Sequence, residues 1–264
     1  MTNELVLRLS VFVGLFALLA TAESRFPRRP RAQPRSRRWV TNWAIVVIDS
    51  LTLRIVALAV PLLAVGAALD AEAQGWGLLN SVEAPVWLAW IVSILVLDLA
   101  IWAQHLVTHK VPLLWRIHRV HHADIDMDVS TAIRFHPIEI ALSMFLKVGL
   151  VYALGAPPGA VIAFEILLNG MALFNHANLA LPPRLDSILR LFVVTPDMHR
   201  VHHSVHREEH DRNYGFSLSI WDRLFGTYLA QPTGGHLEMK TGLTWRDDRP
   251  SRLGWSLALP FRSK

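Results

Sequence analysis

Twelve of the thirteen histidines of this 264-residue chain lie between positions 105 and 210, in a pattern of pairs and triples. On an α-helix, residues i, i+3 and i+4 lie on one face. A pair spaced H-x3-H can therefore direct two imidazoles to one point. A triple spaced H-x2-H-H can supply a chelating face with one further imidazole to the side. The grouped residues are His105 and His109; His118, His121 and His122; His176; and His199, His202 and His203.

Imidazoles grouped in this way indicate a metal site. Protonated imidazoles at this density would repel one another, whereas metal ions bind the neutral form. A zinc ion takes about four ligands, so eight or nine clustered histidines predict two ions with about four imidazoles each. For the single residues His206, His210 and His236, an ordinary polar or interfacial role is favoured. Imidazole binds iron, zinc and copper alike, and the ligand type leaves the metal open.

The rest of the sequence narrows the chemistry. Cysteine is absent, which excludes disulfides, cysteine-bound zinc and cysteine-ligated iron–sulfur clusters. The motif H-E-x-x-H, which carries the general base of many zinc proteases, is absent as well. Haem needs one or two axial histidines and gives no reason for adjacent His-His pairs. Two irons are preferred over two zinc or copper ions. The histidines follow predicted membrane helices, and a metal site there can reach the C–H bonds of lipids, which iron can oxidise with O2.

The composition indicates a membrane protein. Hydrophobic residues make up 52% of the chain, and ten tryptophans suit a protein with two membrane–water interfaces. The net charge of +5 would be compatible with nucleic-acid binding. However, seven arginines lie within residues 25–38, so that much of the basic charge is one local patch. We interpret the patch as a topology signal and expect no nucleic-acid partner.

Apolar runs predict how the histidines are positioned. The first run precedes the Arg/Pro-rich stretch, whereas a signal peptide carries its positive charge before the apolar segment, so a membrane span is favoured. Asp49 and Arg54 suggest that the first part of the apolar region 43–69 is interfacial. The last two runs are short for the roughly 20 residues of a span and predict a complete or re-entrant hairpin around Gly155. The predicted spans are 4–22, 51–69 and 85–104, and the hairpin runs are 138–154 and 159–175.

The arginine-rich loop fixes the predicted orientation, because positively charged loops lie in the cytoplasm. Counting crossings from that loop places residues 105–136, residue 176 and everything after 184 on the same side. All thirteen histidines fall in these segments. The predicted fold is therefore all-α: a multi-pass transmembrane helical bundle of about three full spans plus a helical hairpin. A cytoplasmic helical cap would carry the histidine-rich dimetal site, and the membrane would be a bacterial inner membrane.

The histidine boxes and their surroundings resemble the fatty acid hydroxylase/sterol desaturase superfamily. The resemblance covers roughly residues 85–230 and leans toward the alkylglycerol monooxygenase-like and bacterial sterol desaturase-like branches. The residues that carry it are HRVHHADIDMDVSTAIRFHP (118–137), NHANL (175–179), TPDMHRVHHS (195–204) and NYGFSLSIWDRLFGTY (213–228). It divides the chain into N-terminal helices with the Arg/Pro-rich loop (1–84), a catalytic domain (85–230) and a C-terminal tail (231–264).

The resemblance implies a non-haem di-iron centre that uses O2 and two electrons to hydroxylate or desaturate a lipid. A separate reductase chain would supply the electrons, and zinc could substitute for iron. Many relatives have a fuller third box, H-x3-H, where this chain has Ala180. The ligands implied are His105, His109, His118, His121, His122, His176, His199, His202 and His203.

Several neighbouring residues are weaker candidates. His136 is a tenth possible ligand or, more favoured, a hydrogen-bonded neighbour. Asp98 is predicted either to accept a hydrogen bond from a ligand imidazole or to pair with a cation in the bundle. Asn175 or Asn178 could hold a water in place of the missing ligand. Two other functions stay open: a zinc-dependent membrane hydrolase and a non-catalytic metal-binding or transport protein, the latter weakly suggested by Asp49, Arg54, Asp98 and Glu165.

Overall fold

The computed structural model describes residues 2–59 and 63–262, and in these ranges the chain is helical or irregular, with only isolated β-bridges. The α-helices are α1 (Thr2–Arg25), α2 (Arg35–Ala59), α3 (Ala64–Gln74), α4 (Leu78–Ser81), α5 (Val86–Lys110), α6 (Pro112–His122), α7 (Pro137–Leu154), α8 (Pro158–His176), α9 (Pro183–Leu189), α10 (Pro196–His202), α11 (Arg207–His210), α12 (Ile220–Leu224), α13 (Gly235–Glu238) and α14 (Leu253–Ala258). Three 3₁₀ helices span Val129–Ile133, Arg249–Ser251 and Leu259–Phe261.

Five of these helices, α1, α2, α5, α7 and α8, are long and apolar enough to cross a membrane. Helices satisfy all of their own backbone hydrogen bonds, which hydrocarbon requires of a spanning segment. The shortest, α7, has 18 residues and is about 27 Å long, close to the ~30 Å of a hydrocarbon core. The predicted three spans and helical hairpin are confirmed as five membrane-length helices.

The position predicted for the second span is wrong. The membrane-length segment is Arg35–Leu58, so the supposedly interfacial part around Asp49 belongs to its middle. The predicted span 51–69 includes residues 60–62, which lie outside the described residues, and the chain beyond them forms the separate helix α3. Pro61 is unfavourable inside a helix, a signal that hydropathy alone ignores. Asp49 is tolerated within α2 because its side chain is turned into the protein, where it is 7% exposed.

The predicted helical hairpin is confirmed, and the ends of its two helices agree with the predicted runs to within one residue. Gly155 ends α7 with a φ of +66°, a left-handed conformation that glycine adopts without strain. Pro158 occupies the first turn of α8, where a missing backbone N–H costs nothing. The turn packs closely on the loop after α3: a Cβ on Gly77 would lie 2.0 Å from the Gly155 nitrogen.

The end of the bundle that carries the histidines, here called the cap, is the end at which α1, α5 and α8 finish and α2 and α7 begin. The Arg/Pro-rich segment between α1 and α2 lies on this cap, since the Arg28 N–H donates to the Asn178 carbonyl and the Ala180 N–H to that of Phe26. The arginine-rich loop and the histidines therefore share one end of the bundle, as predicted. The division of the chain at residues 84 and 230 stays a prediction.

Buried arginines connect the cap to the bundle. Arg38 of α2 binds both oxygens of Asp124 at 2.7 Å and Asp128 at 2.6 Å. Arg134 donates to the Asn42 side chain on α2 and to the Pro250 carbonyl of the C-terminal segment, each at 2.8 Å. These contacts hold the segment after α6 against α2 and thereby position the histidines of α6.

Candidate metal centre

All nine histidines of the predicted ligand set come together in two adjacent buried groups. The first group combines the pair on α5 with two residues of α6 and one of α10. Its ligand nitrogens all lie within 4.8 Å of one another. The members of the first group are His105, His109, His118, His122 and His202. The members of the second group are His121, His176, His199 and His203.

Each H-x2-H-H triple divides between the two groups. His118 and His122 share a face of α6 and enter the first group, whereas His121 points to the second. The downstream triple mirrors this arrangement, since only its middle member, His202, joins the first group. Adjacent histidines therefore link the two groups, and the His122 and His203 rings stack with their centroids 4.5 Å apart.

Distances between ring nitrogens fit coordination of a common ion. The Nε2 atom of His176 lies 3.0 Å, 3.1 Å and 3.2 Å from the Nε2 atoms of His121, His199 and His203. In the first group, the Nε2 atoms of His105 and His118 are 3.1 Å apart. Two nitrogens bound to one metal at about 2.1 Å are separated by roughly 3.0–3.4 Å, so the second group converges as a four-nitrogen site.

Oxygen atoms around the centre fix the orientation of five rings. Each accepts a hydrogen bond from an Nδ1–H group, which leaves the Nε2 lone pair free for a metal. The pairs are His105 with the Tyr214 carbonyl (2.7 Å), His118 with the Glu139 carboxylate (2.6 Å), His121 with the Arg134 carbonyl (3.3 Å), His176 with the Ala172 carbonyl (2.7 Å) and His202 with the Arg212 carbonyl (2.8 Å).

The remaining nitrogens and the burial of the rings also favour metal binding. Neither ring nitrogen of His109 or His122 has a hydrogen-bond partner among the described residues, nor does Nε2 of His202. Unpartnered buried nitrogens are costly unless something binds them. Burial first, and then repulsion from neighbouring imidazoles, lower the pKa of several rings well below the ordinary value of about 6.5, which keeps them neutral. The rings concerned, outside the membrane-length helices, are His121, His122, His199, His202 and His203.

Two supporting carboxylates were not recognised in the sequence. Glu139, in the first turn of α7, accepts the hydrogen bond from His118. Asp222 accepts from the backbone N–H groups of Tyr214 and Gly215, each at 2.8 Å, and so fixes the carbonyl that holds His105. It also accepts from Trp102 on α5. Both carboxylates are remote in sequence from the histidines they support, and spacing gave no signal for them.

The weaker candidates lie around the centre in other roles. Asp98 accepts hydrogen bonds from Trp221 at 2.8 Å and from the Leu218 N–H at 3.2 Å, neither an imidazole nor a cation. It therefore holds the segment 217–221 against α5. His136 caps the start of α7, with Nδ1 accepting from the Ile138 N–H at 3.2 Å. It belongs to neither histidine group.

Position 180, where the third box would have its second histidine, lies beyond the end of α8. α8 ends at His176, and the following residues run extended along the Arg/Pro-rich segment, where Leu179 bridges to Pro27. Position 180 is therefore not on the helical face of His176. Asn178 uses its amide group on the Arg29 backbone. Asn175 donates to the Phe216 carbonyl, and its buried Oδ1 atom has no hydrogen-bond partner within residues 2–59 and 63–262.

The single histidines differ among themselves. His206 is exposed, and His236 lies 3.7 Å from Asp197. His210 stacks on Trp115 and, with Asp211, comes within ligand distance of His109. Asp211 is held by Lys110 at 2.7 Å, which gives it an ion-pair partner of its own.

A cavity of about 340 Å³ extends from His105 and His118 into the bundle. Its walls come from α1, α2, α5, α7, α8 and the 3₁₀ helix Val129–Ile133. An apolar groove of about 490 Å³ lies on the other side of the α5–α7 contact. The cavity and the groove share three wall residues, Gln104, Thr108 and Glu139. Ser143 donates a 3.2 Å hydrogen bond to Gln104 across this wall.

The sequence profile of the fatty acid hydroxylase family matches residues 90–227, just over half of the chain. The protein belongs to the fatty acid hydroxylase family. The matched residues include both histidine groups, so the resemblance read from the histidine boxes is confirmed at the level of the family.

Curated relatives support the family assignment. Ornithine lipid hydroxylase OlsE of Rhizobium tropici is 30% identical over 142 residues, which are 54% of this chain and 42% of that protein. Human alkylglycerol monooxygenase is 34% identical over 145 residues, 54% of this chain and 31% of the relative. Rat cholesterol 25-hydroxylase is 27% identical over 144 residues, 54% and 47% of the two chains. The chain thus matches less than half the length of each of these proteins. No solved structure matches it significantly.

Proposed function

We propose that this protein is a membrane-bound di-iron oxygenase that uses O2 and an external reductant to hydroxylate or desaturate a lipid. The observation that carries the proposal is the pair of buried histidine groups, five and four residues strong, with nitrogens converging at coordination distances. The relatives named as lipid hydroxylases and monooxygenases support the reaction class. We propose the nine grouped histidines as the ligands.

The donor set fits two irons. Imidazole nitrogens suit iron, and the oxygen atoms behind five of the rings would hold them in the tautomer that binds a metal through Nε2. Bound there, the irons would supply the activation of O2 and the oxidation of a C–H bond. Hydroxylation consumes one O2, two electrons and two protons and yields the alcohol and water. Desaturation consumes the same reagents and yields the alkene and two waters.

The chain's own residues would position the substrate and keep water away. The cavity beside His105 and His118 is lined mainly by apolar side chains, among them Phe12, Ile101 and Leu168, so a hydrocarbon chain can lie within it. The groove behind Gln104 lies on the outer side of α5 and α7, where its lining residues Val107, Leu142 and Leu146 are exposed and would face lipid. We propose that lipids enter laterally from this groove when the Gln104–Ser143 contact separates.

Electrons would come from a separate reductase chain. The 264 residues contain no cysteine and therefore no cysteine-ligated iron–sulfur relay. We propose that the reductase approaches the cap from the cytoplasm, because the arginine-rich segment lies at the same end of the bundle as the histidines. The membrane would be a bacterial inner membrane.

The proposal is tested by purifying the protein anaerobically, measuring iron and zinc, and then measuring O2 uptake with a chemical reductant. Suitable lipids are an alkyl glycerol ether, an ornithine lipid and a sterol. We expect about two irons per chain and O2 uptake coupled to oxidation of one of the lipids. His122→Ala and His203→Ala, one from each group, should lose metal, whereas His206→Ala at an exposed site should not. One zinc per chain with no iron and no O2 uptake would contradict the oxygenase, and ester hydrolysis without O2 would indicate a hydrolase.

A further inference from the structure

One residue of the cavity wall has an unused hydrogen-bonding atom. Asp49, near the middle of α2, is 7% exposed, and its Oδ1 atom has no partner among the described residues. A carboxyl group inside a membrane-length helix is costly without a partner and marks a functional position. Its neighbour Ser50 is exposed and uses its hydroxyl on the Val46 carbonyl of its own helix. The unused carboxyl oxygen therefore belongs to the inward face of α2.

Three other charged residues of the cavity satisfy one another. Glu165 of α8 accepts from Lys147 of α7 at 2.6 Å and from Arg8 of α1. Arg8 also binds Glu4 one turn earlier on α1, at 3.0 Å. This network contains two cations and two carboxylates, and Asp49 is not one of its members. Glu139 also lines the cavity with an Oε2 atom that no described residue uses, but its other oxygen holds His118. Asp49 is thus the cavity carboxyl group with an unused oxygen that supports no histidine of the metal centre.

The cavity is long enough to separate a polar group from the site of oxidation. Glu139, which holds His118, and Lys147 both line it and are eight residues apart on α7, or about 12 Å. On the α2 side the lining consists of Val46, Asp49 and Leu53, so Asp49 is the one polar group that α2 contributes to the described cavity wall. Pockets with this character fix the orientation of a mostly apolar ligand through a few polar groups.

We propose that Asp49 binds a hydroxyl or amino group of the lipid substrate while the hydrocarbon part reaches His105 and His118. A carboxyl oxygen accepts hydrogen bonds from either group. The substrates would accordingly be amphiphiles that carry a hydrogen-bond donor, and lipids with only ester or ether oxygens would bind weakly. The inference rests on the proposed function, because it assumes that the cavity receives the substrate.

The test compares the binding of three matched probes, 1-hexadecanol, hexadecylamine and hexadecyl methyl ether, to the purified protein in detergent. Wild-type protein should bind the alcohol or the amine about 10- to 100-fold more tightly than the ether, the effect of one good hydrogen bond. Asp49→Leu, which removes the carboxyl without adding a buried polar group, should bind all three alike. Ser50→Leu, on the exposed face of the same helix, should keep the wild-type preference.

A second variant separates the two donor groups. In Asp49→Asn, the amide oxygen still accepts from a hydroxyl but no longer attracts an ammonium group. If Asp49→Asn still prefers the alcohol over the ether, the natural ligand group is a hydroxyl. If the wild-type protein prefers the amine and Asp49→Asn loses that preference, the ligand group is an amine. A wild-type protein without preference, or a preference that survives in Asp49→Leu, would overturn the inference. Because the measurement is binding, the result is independent of O2 uptake, and either proposal can fail while the other stands.

Discussion

At the scale of single residues, the histidine boxes are readable from the sequence because their geometry is local. The i, i+3 and i+4 positions of a helix lie on one face, so the spacing predicts that each H-x2-H-H triple supplies a chelating face with one further imidazole to the side. The structure adds that the middle member of each triple is the one that joins the other group. The supporting carboxylates are not local. Glu139 is 21 residues from His118 along the chain, and only the path of α7 brings them together. No spacing rule could have predicted that contact.

Glu139→Gln tests the support given to His118. The glutamine keeps the size of the side chain but removes the charge that holds the Nδ1–H group. We expect metal affinity to fall about 10- to 100-fold, as for other carboxylates behind metal-binding histidines. The measurement is the metal retained after dialysis against graded chelator concentrations. Glu72→Gln, at an exposed position of α3, is the matched control, and equal retention in both variants would show that Glu139 does not support a ligand.

At the scale of elements, hydropathy predicts where the apolar helices lie, but it does not predict helical turns that are rich in charged residues. The hairpin of α7 and α8 is predicted to within a residue, because Gly155 and the two prolines after it mark the end of one helix and the start of the next. The start of α2 was missed, because its first turns are rich in arginine and were assigned to a loop. The structure shows how an arginine is accommodated in this helix: Arg38 is buried and forms ion pairs with Asp124 and Asp128, so its charge does not need to be exposed to water.

Replacing Arg38 tests whether α2 holds the cap. Burial alone would raise the pKa of Asp124, but the paired Arg38 guanidinium lowers it below its ordinary value, so the carboxylate is ionised. Arg38→Met would leave two buried carboxylates without their partner and should lower the free energy of unfolding by about 3–5 kcal/mol. The change can be measured by denaturant unfolding in detergent.

The adjacent Arg37 provides the control for this experiment. Its side chain is 70% exposed and lies 3.8 Å from Asp248, a surface ion pair of small energy. Arg37→Met should change the free energy of unfolding by less than about 0.5 kcal/mol. If Arg38→Met costs as little as Arg37→Met, the Arg38 contacts do not hold the cap on the bundle.

At the scale of the whole molecule, the two ends of the bundle differ in charge. The end that carries the histidines includes the seven arginines of residues 25–38, whereas no lysine or arginine occurs between Arg54 and Lys110, a stretch that contains the opposite end. The same asymmetry appears in the structure, where the arginine-rich segment is bound to the cap. A bundle with this asymmetry should insert with the histidine end in the cytoplasm.

Cysteine labelling tests this orientation, because these 264 residues contain no cysteine that would have to be removed first. Arg252→Cys places a thiol at an exposed position of the cap, and Gln74→Cys places one at the end of α3, near the opposite face. A membrane-impermeant maleimide should label Arg252→Cys in inverted inner-membrane vesicles but not in intact spheroplasts, and Gln74→Cys in spheroplasts only. The reverse pattern would put the histidines on the outer side of the membrane, and labelling both variants in one preparation would mean that the two ends are not separated by the bilayer. The expected pattern would place the metal centre where a cytoplasmic reductase can reach it.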